Sequence, residues 1–121
     1  MNITEDYCSF EVAKLLKEKG FEILTGKVYD NQNKLDYQNV ICWQEKRLPY
    51  ISAPTLQMAM KWLRETHRID IVIEISDPSV RDRKYYCMIW DRNNNSHILD
   101  LFNSYEEAAE AALKYSLENL I

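Results

Sequence analysis

Apolar and polar residues alternate with period two over residues 69–75. Ile69, Ile71, Ile73 and Ile75 fall on one side of a half-buried strand, and Asp70 and Glu74 fall on the other. Two further β-prone runs follow, KYYCMIWD at 84–91 and HILDLF at 97–102, with the polar turn Arg92-Asn93-Asn94-Asn95 between them. The period then lengthens. Behind Ser104-Tyr105-Glu106-Glu107, the residues Ala109, Ala112, Leu113, Ser116, Leu117 and Leu120 form one helical stripe, opposite Glu106, Glu110, Lys114 and Glu118. The spacing of Ser104 and Glu107 predicts a capping box. The Ser104 hydroxyl accepts from the Glu107 N–H, and the Glu107 carboxylate returns to the Ser104 N–H.

The first half carries two more helical patterns. Ser9 is a candidate N-cap for a helix to about Lys19, with Val12, Ala13 and Leu16 on one stripe and Gly20 as a left-handed stop. Ser52-Ala53-Pro54-Thr55 reads as the start of a second helix, with Pro54 in its first turn. Leu56, Ala59, Met60 and Leu63 make one stripe of that helix. Met58 and Trp62 make another, so the helix is expected to be clasped from two sides. Between the helices, residues 21–52 read as a β excursion: Phe21–Leu24 and Lys27–Tyr29 as strands around Thr25-Gly26, a turn at 30–33, and a further strand at Asn39–Trp43. The expected fold is one α+β domain over residues 1–121. It is a two-layer sandwich in which an antiparallel meander of three or more strands packs against three helices.

Composition fits an ordinary globular domain, with 46% hydrophobic and 28% charged residues. Two glycines leave no room for a Gly-rich phosphate cradle. Cys8, Cys42 and Cys87 are far apart and form no CxxC or Cys/His cluster, so no metal site and no cofactor is expected, and a reducing compartment is the natural setting. The start, MNITEDYC, lacks the basic and apolar segments of a secretory signal, and no apolar run approaches the ~18 residues of a membrane span. A cytoplasmic protein with no membrane partner is the expectation. The net charge of −4 is concentrated in residues 93–121, with one Lys against five Asp/Glu. Elsewhere the charges balance, and no basic surplus marks a polyanion binder.

Three stretches taken together, SFEVAKLLKEKGF, APTLQMAMKWLRETH and YEEAAEAALKYSLENLI, resemble a family of small uncharacterised proteins of bacteriophages and prophages, notably those of gut Bacteroidetes. The likeness covers about a third of the chain and leaves residues 22–52 without a match. It implies a mobile-element origin and a bacterial host cytoplasm, and it brings no catalytic residues.

Three candidate sites stand against simpler readings. Tyr29, Tyr37, Trp43 and Tyr50 cluster in the excursion and suit a protein interface or self-association. The same residues could instead pack the excursion onto the main sheet. Lys61, Arg64 and Arg68 at helical spacing, with Arg81 and Arg83 in the next charged loop, suit the runner-up function of a winged-helix-like DNA-binding regulator. Glu65, Asp77 and Asp82 interleave with them, and a solvated helix face beside a charged loop is the simpler account, so nucleic acid is not the expected partner. Catalysis has only His67, His97 and the cysteines to draw on. Strand alternation sets Cys87 with Tyr85 and Ile89, and His97, at the opposite end of the predicted hairpin, is expected near Asp91 and not beside Cys87. Asp70, Glu74 and Asp100 read as the wet row of a one-sided sheet. The expected function is non-enzymatic: a phage- or prophage-type accessory protein acting through protein–protein contacts or self-association.

Overall fold

In the computed structural model the described residues are 3–23, 25–30, 34–37, 51–77, 79 and 81–121, with the backbone alone at 36 and 37. Their element order is α1 (Phe10–Glu18), β1 (Lys27–Tyr29), β2 (Leu35–Tyr37), β3 (Ile51–Ser52), α2 (Leu56–His67), β4 (Asp70–Ile75), β5 (Tyr85–Trp90), β6 (Ser96–Phe102) and α3 (Tyr105–Asn119). The chain is an α+β protein whose sheets are both antiparallel. It divides into two compact units, Met1–Thr55 and Leu56–Ile121.

In the first unit, α1 begins where the Ser9 hydroxyl accepts from the Val12 N–H at 3.3 Å. It ends in a Schellman closure. The Phe21 N–H reaches the Leu16 carbonyl (2.9 Å) and the Gly20 N–H reaches that of Lys17 (3.1 Å), around Gly20 at φ +99°. That backbone conformation is the reason for glycine there. The sheet order is β2-β1-β3, so Lys27–Tyr29 is the central strand. The Asp30 N–H donates to the Lys34 carbonyl, and the Asp30 carboxylate accepts from the Lys34 N–H, closing the first hairpin. Residues 21–23 are not a strand, and the expected strand at Asn39–Trp43 lies outside the described residues.

Tyr29 is part of this unit's core with Ala13 and Ala53, and Phe10 and Ile51 pack against them. Its ring meets Phe10 edge-on at 5.6 Å, and its hydroxyl donates to the Cys8 carbonyl. Thr25 is also buried. Its hydroxyl donates to the Lys27 carbonyl (2.6 Å) and accepts from the Ala53 N–H (3.2 Å), tying β1 to the residue after β3.

The second unit has two layers. The meander runs β4-β5-β6 in sequence order, with α3 across all three strands and α2 against β4 and α3. The inner face carries the four isoleucines 69, 71, 73 and 75, of which Ile69 is fully buried, together with fully buried Cys87 and Ile89. Ala108, Ala109, Ala112, Leu113, Ser116 and Leu117 are the buried stripe of α3. The Ser116 hydroxyl spends its hydrogen bond on the Ala112 carbonyl at 2.8 Å, so a polar group sits in this core without penalty.

Several local expectations are corrected. Pro54 precedes α2 and lies outside it, and its carbonyl instead accepts from the Cys8 N–H at 2.9 Å. Met58 is 40% exposed and Trp62 half-buried, so the second stripe of α2 is not clasped. At α3 the Ser104 half of the capping box forms at 3.1 Å, but the Glu107 carboxylate reaches one residue further back, to the Asn103 N–H at 3.0 Å. The carboxylate thus satisfies a backbone donor of the residue before the N-cap and fixes the chain's entry into the helix.

Replacing Tyr29 by Phe keeps the ring and removes one buried hydrogen bond. The variant is expected to lose about 1–2 kcal/mol in urea denaturation with an unchanged m-value.

Candidate protein-contact face

The helices cover one side of the meander, and the residues of the other side follow from strand register. Opposite Val72 on β5 is Met88, and opposite Met88 on β6 is Ile98. Toward one end the row is Asp70, Trp90 and Ser96. Toward the other, Glu74 pairs with Tyr86. There β6 carries one extra residue between Leu99 and Phe102, which leaves Asp100 and Leu101 together opposite Tyr86 as a bulge.

This face is apolar across its middle and acidic along both sides. Val72 and Trp90 are each 41% exposed, Ile98 58% and Leu101 63%. Asp70, Glu74 and Asp100 are all exposed, and Glu74 accepts from the Tyr86 hydroxyl at 2.6 Å. None of the positions in these rows is Lys or Arg. The carboxylates are the wet row anticipated from alternation. The apolar residues between them were not anticipated. The signal was available, because Tyr85–Trp90 is apolar at every position, a pattern of strands covered on both faces.

A second cluster ties the β5–β6 turn to α3. Asp91 Oδ1 accepts from the N–H groups of Asn93 (2.9 Å) and Asn95 (3.0 Å), and Asn94 takes the left-handed conformation at φ 63°. Asp91 Oδ2 lies 3.0 Å from His97 Nε2, and His97 Nδ1 lies 3.2 Å from the Tyr115 hydroxyl. A carboxylate only accepts, so Nε2 carries the proton, and in the neutral ring Nδ1 accepts from Tyr115. The His97 hydrogen bond first, and the backbone N–H of Asn95 next, hold the Asp91 carboxyl below its ordinary range.

His97 thus stands beside Asp91, as its place at the hairpin end suggested, with its two ring nitrogens engaged by Asp91 and Tyr115. Burial pushes the Cys87 thiol up, which keeps it protonated and weakly nucleophilic. His67, edge-on to Trp62 at 4.9 Å, is held below its ordinary value by burial and then by the charge of Arg92. Among the described residues no three His, Cys, Asp or Glu side chains converge as a metal site.

The other sequence candidates are dispersed. Tyr29 is buried in the first unit's core and has no surface to offer a partner, a correction that follows from its ring and hydroxyl both being engaged there. Tyr37 lies on β2 with only its backbone described, and Trp43 and Tyr50 lie outside the described residues. Lys61, Arg64, Arg68, Arg81 and Arg83 are all exposed. Arg68 precedes β4, whereas Arg81 and Arg83 follow it, so about 20 Å of strand separates the two groups. The five residues do not form a single basic cluster at one end of the sheet. No helix among the described residues is long and apolar enough to cross a membrane. Comparison with known proteins gave no matching family model, no similar curated protein and no similar solved structure.

The Asp91 contacts set a pH dependence. Because its folded value is depressed, Asp91 contributes stability above the ordinary carboxylate value of ~3.9, and that contribution is lost as pH falls through the folded value. Asp91→Asn is expected to lower stability at neutral pH and to flatten the acid limb below about pH 4. Thermal unfolding followed by circular dichroism across that range measures both.

Proposed function

We propose that this protein is a non-enzymatic accessory protein, of the phage or prophage type, that acts by binding another protein. The open face of the second sheet is its contact surface. The observation that carries this reading is the Val72–Met88–Ile98 row across three adjacent strands, in which Val72 and Ile98 are exposed around a half-buried Met88, with exposed Trp90 beside it. Exposed apolar patches of this kind, rimmed by polar residues, mark interaction sites on soluble proteins. Aromatic and Met side chains are enriched at such centres, because they supply large contact area at small entropic cost. The same reading accounts for the chemistry. Cys87 is sealed in the core, and His97 is held between Asp91 and Tyr115 as a structural clamp.

The test is affinity capture from infected or lysogenic bacterial cells with the full chain and with its Ile98→Glu variant. Ile98 is exposed, so the substitution leaves the core intact while placing a charge at the centre of the patch. A partner protein held by the parent chain and lost by the variant is the expected result. Equal recovery by both chains, or recovery of nucleic acid in place of protein, would overturn the proposal.

A further inference from the structure

The geometry points to a partner of specific chemistry for this face: an amphipathic helix whose apolar stripe is flanked by Lys or Arg. The inference rests on the reading of the open face as a protein contact, and adds what the partner must present. Three strands spaced ~4.8 Å apart give a surface about 10 Å wide, close to the diameter of one α-helix. A helix laid along β5 meets Met88 and Trp90 beneath it, Val72 on one flank and Ile98 on the other. The carboxylates share the two outer strands with these flanking residues, Asp70 and Glu74 on either side of Val72 along β4 and Asp100 two residues beyond Ile98 on β6.

Charge decides between occupants. Within these rows no cation offsets the three acids, and Lys84, which continues this face beyond Tyr86, is engaged with Asn103, so an acidic or neutral helix would meet net negative charge on both flanks. A second copy of the same face brings its own Asp70, Glu74 and Asp100 to the contact, and like charges then oppose one another. Lysines or arginines flanking an apolar stripe reach the acids from either side while the stripe covers Met88 and Trp90. The resulting pairs are solvent-exposed, so each contributes modestly and the set acts mainly as a selector of sign.

Two synthetic helices of about 15 residues with identical Leu stripes test this, one flanked by Lys and one by Glu. Titrations into the ¹⁵N-labelled full chain give affinity and location together. The expected result is binding of the Lys helix with shifts at Val72, Met88, Trp90 and Ile98, and at least tenfold weaker binding of the Glu helix. Affinity should fall as salt rises. The triple variant Asp70→Asn, Glu74→Gln, Asp100→Asn should lose about tenfold for the Lys helix and gain nothing against protein stability, since Gln at 74 still accepts from Tyr86. Equal affinity for both helices at this face would overturn the charge inference while leaving the protein-contact reading intact. A dimer in sedimentation that Ile98→Glu dissociates would do the same, in favour of a second copy. Shifts elsewhere, or no binding of either helix, would overturn the inference too. The underlying reading falls only if the capture experiment recovers the same protein with both chains, or nucleic acid in its place.

Discussion

The second unit depends on an imbalance between cover and strand chemistry. Among the described residues its meander has helices on one side only, yet its central strand, β5, is apolar on both. On the covered side the result is a dry core in which Cys87 and Ile89 lie fully buried under α3. Burying side chains of this size contributes roughly 1.5–3 kcal/mol each, which is what holds the helix layer to the sheet. Alanines at 108, 109 and 112 present little bulk toward the strands, so the helix backbone can approach closely and the larger Leu113 and Leu117 can fill between them.

On the uncovered side the same strand leaves Met88 and Trp90 facing outward, with Val72 and Ile98 beside them. A sheet with one wet face normally carries polar residues at those positions. Here only the flanks do. The contact reading and the inferred sign of the partner's charge both descend from this one departure.

Polar side chains in both units are used as fasteners. Thr25 ties β1 to Ala53, Tyr29 ties the same sheet to Cys8, and the Asp91–His97–Tyr115 chain ties the β5–β6 turn to the last helix. Each group has a partner, so burial or half-burial costs little. Such arrangements explain why residues that look reactive in the sequence are structurally committed. A thiol pushed up by burial and a histidine engaged at both nitrogens are poor starting points for nucleophilic chemistry.

The sequence alone determined the elements whose cause is local. Four isoleucines at spacing two, the Ser9 and Ser104 caps, Gly20 at a left-handed position and the polar turn at 92–95 each fix their own backbone, because the interactions involved span only a few residues. The α+β class and the antiparallel meander followed from their order and short connections. Tertiary structure decided what depends on distant neighbours. It buried Tyr29 where a cluster of aromatics suggested surface, and set Arg68 a strand's length from Arg81 and Arg83. It also carried the Glu107 carboxylate to Asn103 and left one face of β5 uncovered. Periodicity reports which side of a strand or helix a residue occupies. Which side receives a covering layer depends on contacts between segments remote in sequence, and those exist only once the chain has folded.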